Sequence, residues 1–157
     1  MDRLWAPWRM EYILGEKSQE CVFCQILRER NDEDNLVLRR SRHCFAMLNK
    51  FPYNNGHLLI VANRHIANLT DLSPEEIQDM MKLAQEMIKI ENETMNPDGF
   101  NTGINIGQSA GAGIIHHIHM HIVPRWSGDT NFMPVTGGTK IIPQSLEELY
   151  SQFKKLL

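Results

Sequence analysis

The sequence predicts an α+β fold: an antiparallel sheet with one long helix and a C-terminal helix packed against it. Three observations carry that expectation. Short apolar or alternating runs are joined by brief connections, an Asn55-Gly56 turn signal precedes one of them, and two amphipathic segments each open on an S-x-x-E capping box. The 157 residues are 42% hydrophobic, enough for one core. No repeat, low-complexity tract or Gly/Ser linker divides them, so residues 1–157 read as a single domain.

Residues 1–20 read as an N-terminal arm in which Trp5, Trp8 and Tyr12 are costly to leave in water. The core spans 21–126. "CVFCQILRERN" begins a short helix or turn, and "NLVLRRS" and "HCFAMLNK" read as strands. In the second strand, Phe45 and Met47 share one face, while Cys44, Ala46 and Leu48 share the other. "NNGHLLIVANRH" supplies a turn and then a mostly apolar strand. The long helix starts at the N-cap Ser73, with Pro74 in the first position and Glu76 closing the box. Ile77, Met80, Met81, Ala84, Met87 and Ile88 then recur at helical spacing until "NPDG" stops the helix. "FNTGINIG" and "IIHHIHMHIV" are two more strands, joined by "GQSAGAG". The C-terminal extension, 127–157, is irregular until "SLEELYSQFKKLL", a helix capped by Ser145 with Glu148, whose Leu146, Leu149, Tyr150, Phe153 and Leu156 form one stripe.

A formal net charge of −3 gives no basic excess, which argues against a long nucleic-acid partner but not against a small anion in a local pocket. "MDRLWAPWRMEYILGE" lacks the apolar core and cleavage site of a signal peptide, and "HLLIVA" is too short to span a bilayer. Three cysteines, an odd number, fit a reduced cytoplasmic setting better than a disulfide framework.

The stretch "IIHHIHMHIVPRW" places His117, His119 and His121 at strict alternation. On a strand they project together, roughly 7 Å apart, while Ile118, Met120 and Ile122 face a core and His116 falls on that second face. One histidine on a half-buried strand is usually a hydrogen-bonded structural residue. Three in alternation, out of seven in the chain, ask for chemistry: convergence on zinc, or covalent catalysis in which one imidazole attacks and its neighbours orient it. Beside them "NIGQSAGAG" is a small-residue loop whose backbone N–H groups can approach an anion, and the combination implies phosphoryl or nucleotidyl transfer. Cys21-x-x-Cys24 by itself reads equally as a redox pair, half a zinc site or coincidence, and the βαβ context of a redox pair is missing.

These residues resemble the histidine triad family. "HIHMHIV" matches its H-φ-H-φ-H-φ-φ signature. "LNKFPYNNGHLLIVANRH" resembles its upstream strand pair, with Ala62 in place of the usual proline. "RLWAPWRMEYI" and "PRWSGDTNFMPVTGGTKIIPQSL" are similar to a bacterial branch near diadenosine tetraphosphate phosphorylases and Fhit-like dinucleoside polyphosphate hydrolases. The resemblance implies a HIT-like fold and attack on an α-phosphorus by His119, with His117 and His121 flanking it. It implies Asn105 on phosphate, backbone donors at Gly111, Ala112 and Gly113, Asn49 on the ribose, and Phe45 as a candidate at the nucleobase. It further implies a structural zinc on Cys21, Cys24, His65 and His117, with His116 the alternative fourth ligand, no organic cofactor, and a homodimer. The loop reads Ala110-Gly111-Ala112-Gly113 where many relatives have A-G-Q-[ST], so a glutamine role does not carry over. Dinucleoside polyphosphates lead as substrates. A nucleoside phosphoramidase or adenylyl-conjugate hydrolase, a nucleotide-binding regulatory protein, and a hydrolase with metal on the triad stand as alternatives.

Overall fold

The computed structural model describes residues 20–131 and 133–157, so the expected arm, apart from Glu20, lies outside the described residues. Its elements are α1 (Val22–Glu29), β1 (Val37–Arg40), β2 (Cys44–Leu48), β3 (Leu58–Ala62), α2 (Pro74–Met95), β4 (Gly99–Ile104), β5 (His119–Arg125), α3 (Met133–Gly137) and α4 (Leu146–Lys154). The five strands form one antiparallel sheet in the order β1-β2-β3-β5-β4.

Side-chain alternation divides the interior as the sequence implies. Cys44, Ala46 and Leu48 of β2 join Leu58, Ile60 and Ala62 of β3 in a core with Met80, Leu83 and Met87 of α2. Phe45 and Met47 point the other way, with Val37, Leu59 and Val61, onto Phe23 and Ile26 of α1. Both faces of β2 and β3 are therefore covered, which explains why these strands read as continuous apolar runs. The long helix carries both halves of its capping box: Ser73 Oγ accepts from the Glu76 amide, and the Glu76 carboxylate accepts from the Ser73 amide. It ends at Asn96, which is left-handed at φ 45°. Of its expected apolar positions, Met80, Ala84 and Met87 are buried, whereas Ile77 and Met81 are exposed. Helix α4 rests on the same core through the buried Leu149 and Phe153, and Tyr150 Oη and Lys154 Nζ donate to the carbonyls of Val37 and Leu38 on β1. Gly56 sits at φ +79°, and a Cβ there would meet Pro124 and Met95 at 2.8 and 2.9 Å, so the turn before β3 requires glycine on two counts.

The expected strand over "IIHHIHMHIV" is corrected at its start, because β5 begins only at His119. Continuing the ladder would have residues 62 and 118 exchange two backbone hydrogen bonds. Only one forms, from the Ala62 amide to the Ile118 carbonyl. The Ile118 amide donates instead to Ile66, and the Ala62 carbonyl accepts Nε2–H of the His117 ring at 2.7 Å. A side chain has taken the place of a ladder bond. Among the described residues, no helix is long and apolar enough to cross a membrane.

Candidate active site

The break in the ladder divides the three histidines between two sites. His119 and His121 lie on the same face of β5 and line a cleft of about 810 Å³ with Val22, Phe23, Asn49 and Tyr53. His117 does not project with them: its ring is fully buried and turned toward the cysteines. That corrects the expectation of three imidazoles side by side. The contribution of His117 to the cleft is its backbone carbonyl, which accepts from His119 Nδ1 at 2.8 Å. With its proton on Nδ1, neutral His119 carries its lone pair on Nε2. Burial pushes the His119 pKa down, which keeps that lone pair unprotonated.

A fourth histidine completes the arrangement. The Tyr53 amide, which can only donate, points at His57 Nδ1 at 3.0 Å, and Asn49 Nδ2 approaches the same atom at 3.2 Å. His57 must therefore carry its proton on Nε2, which lies 2.8 Å from His121 Nδ1. His121 then accepts at Nδ1 and carries its own proton on Nε2, a donor that faces Asn105 Nδ2, itself a donor, at 3.5 Å and is therefore left for another acceptor. Burial, then the neighbouring imidazoles, lowers His57 to about 3, and burial with His119 lowers His121 to about 4, so both rings are neutral at physiological pH. Sequence reading passed over His57. The signal was alternation in "HLLIV", which puts His57 on the face of Leu59 and Val61. The register then pairs Leu59 with His121 and Val61 with His119.

The other expected contacts fall as follows. Asn49 lines the cleft, its oxygen accepting from the Phe51 amide and its nitrogen directed at His57. Gly113 lines the cleft as well. The Gly111 and Ala112 amides do not face a ligand, because they donate to the carbonyls of Gln108 and Gly107 inside the loop. Phe45 is corrected as a nucleobase contact: it is fully buried, edge-on to Phe23 with centroids 6.3 Å apart, because β2 is covered on both faces. The exposed aromatics on the cleft are Phe51 and Tyr53, and Tyr53 stacks on His121 at 5.5 Å and 20°.

Cys21, Cys24, His65 and His117 come together with one donor atom from each within 4.8 Å of the others. His117 Nδ1 lies 3.3 Å from Cys21 Sγ and 3.7 Å from Cys24 Sγ, and His65 Nδ1 lies 3.3 Å from Cys24 Sγ. The tautomer fits a metal: Nε2–H of His117 is held by the Ala62 carbonyl, leaving the Nδ1 lone pair toward the thiols. His116 is exposed and outside this group. Cys44 is a buried thiol that burial pushes up to about 12, consistent with a packing role.

Several known proteins are similar to this chain in sequence and fold. The chain is 39% identical over 157 residues to the AP-4-A phosphorylase of Mycobacterium tuberculosis, covering 94% of this chain and 80% of that protein. A Zn-bound histidine triad family protein from Mycobacterium smegmatis superposes with a TM-score of 0.69 at 27% identity, over 87% of this chain and 91% of that one. A Plasmodium falciparum diadenosine triphosphate hydrolase, crystallised with Cyclomarin A, gives 0.63 at 25% identity over 78% and 76%. The sequence model of the HIT domain matches residues 30–128, and with it the chain belongs to the HIT family.

Proposed function

We propose that the protein is a nucleotidyl-transferring enzyme that cleaves dinucleoside polyphosphates at an α-phosphate through His119. The observation that carries this reading is the Nδ1–H of His119 held by the His117 carbonyl, which presents Nε2 as a nucleophile in the cleft. In the first step a bond forms between His119 Nε2 and the α-phosphorus, and the phosphorus–oxygen bond to the remaining polyphosphate breaks. In the second, an acceptor oxygen displaces the histidine. With diadenosine tetraphosphate and inorganic phosphate, ATP leaves first and ADP second; with water as acceptor, AMP replaces ADP. Phosphate as acceptor is favoured by the likeness to the mycobacterial phosphorylase. Through its Nε2–H, His121 donates to phosphate oxygens as charge builds up, and Asn105 stands beside it. Asn49, on the wall of the cleft, is in place for the ribose, and Gly113 offers its backbone to the phosphates.

Cys21, Cys24, His65 and His117 would hold zinc as a closed structural centre, supported by the zinc-bound neighbour and by the donor set. The metal would fasten α1 to the sheet and take no part in the transfer. A single domain, a homodimer and a cytoplasmic setting complete the reading. The edge of β4, unpaired among the described residues, and the exposed Ile77 and Met81 support self-association, and the free cysteines support a reduced compartment.

The test is product analysis of diadenosine tetraphosphate with and without inorganic phosphate, comparing wild type with His119→Ala. Phosphate-dependent formation of ADP and ATP, lost in the variant while AMP still binds, is expected. Turnover by His119→Ala at the wild-type rate overturns the reading.

A further inference from the structure

The alternation that turns His119 and His121 into the cleft continues along β5 and puts Val123 and Arg125 on the same side, with Ile122 and Pro124 buried on the other. Successive residues of that face are separated by roughly 7 Å, so Val123 and Arg125 stand about 13 and 20 Å along the strand from His119. There the surface sinks into a second, smaller pocket of about 310 Å³, walled by Tyr53, Asn101, Arg125, Thr130 and Lys140 among others. Tyr53 belongs to both pockets.

The charges in this pocket do not balance. Arg125 Nε and Nη2 donate to the Asp129 carboxylate, and Nη1 donates to Asn101 Oδ1. Asn54 Nδ2 also donates to Asp129, so that carboxylate is occupied in fixing Arg125. Lys140 Nζ donates to the backbone carbonyl of Asp129 at 2.7 Å, an acceptor with no formal charge to offset the ammonium. Among the described residues, two cations thus meet one carboxylate in a concave site on the same face as His119.

We propose that this pocket is the subsite for the distal end, last phosphate and ribose, of a dinucleoside polyphosphate whose near phosphorus lies at His119, with Lys140 as the residue that discriminates long from short phosphate chains. The inference rests on the function proposed above. A mononucleotide held at His119 ends before it reaches Lys140. A tetraphosphate bridge runs past His121 and Tyr53 to the mouth of the second pocket, which the distal ribose then enters beside Asn101, Thr130 and the Lys140 ammonium.

The experiment measures affinities by calorimetry in a His119→Ala background, where nothing turns over, with AMP and diadenosine tetraphosphate as probes. Lys140→Gln is expected to weaken tetraphosphate binding by about tenfold and leave AMP unchanged, while Lys140→Arg restores it. Lys82→Gln, which removes the same charge from the exposed side of α2, is expected to change neither. Equal weakening of both ligands, no change with Lys140→Gln, or an effect of Lys82→Gln matching that of Lys140→Gln overturns the subsite while leaving the proposed function standing. Failure of diadenosine tetraphosphate to bind the His119→Ala protein or to be turned over by wild type overturns both.

Discussion

His57 Nε2 lies 2.8 Å from His121 Nδ1, and both rings are buried. The backbone amide of Tyr53 sets the direction of this pair, so one fixed N–H on a loop decides which nitrogen of His121 carries its proton.

Removing the orienting ring should therefore cost rate rather than affinity. His57→Ala is expected to lower kcat by about 10- to 100-fold with little change in the Kd for AMP, the usual scale for losing a partner that orients a functional imidazole. Steady-state kinetics beside a binding isotherm decide it. A rise in KM at constant kcat would show that His57 serves binding instead.

Acid should weaken the fold before it protonates these rings. The unfolded imidazoles take up protons near pH 6.5, whereas the folded ones resist until about 4 for His121 and about 3 for His57. Below pH 6.5 the unfolded state binds more protons, so stability falls as pH falls, by up to about 1.4 kcal/mol per pH unit for each ring. The Arg64 guanidinium holds Glu76 at about 2, so the contribution of that carboxylate is lost only below 4.5, outside this window. Urea midpoints recorded from pH 6.5 to 4.5 should decline steadily. A flat profile would contradict the assigned neutral network.

Glu91 works in the opposite direction. It is fully buried on α2, both of its carboxylate oxygens lack a hydrogen-bond partner among the described residues, and burial pushes its pKa well up. Above pH 4.5 the unfolded carboxyl ionises while the folded one keeps its proton, so stability falls as pH rises toward the folded pKa. Glu91→Met should raise stability at pH 7 by about 1–3 kcal/mol, the scale of an unpaired buried polar group, with a smaller gain at pH 4.5. Thermal melts at the two pH values measure this, and a destabilised variant would show that the carboxyl has a structural task.

The thiol cluster should reveal itself by metal content. Purified protein is expected to carry a single zinc ion, and Cys24→Ser should lose it together with several degrees of Tm. Atomic absorption with a melting curve reads both. Zinc retained at full occupancy in the variant would remove Cys24 from the ligand set.

Alternation and capping made the strands and both main helices legible, down to which face of β2 each side chain takes. Three features of the site were not legible, each because a local pattern yielded to a partner distant in sequence. His117 obeys period two only if the ladder continues, and the Ala62 carbonyl ends it by accepting the ring. Phe45 looks available for stacking until α1, from a segment too short to read firmly, covers that face. His57 becomes part of the site only once β3 is in register with β5, which no single segment encodes.

Phe23 stands between Cys21 and Cys24 in the chain, and its ring lies 5.3 Å from that of His117 and 5.2 Å from that of His119. His117 gives its imidazole to the sulfur side and its carbonyl to the ring of His119. A cross-link between the two partly exposed sulfurs that shifts the His117 ring would thus also shift the carbonyl holding His119, without anything entering the cleft.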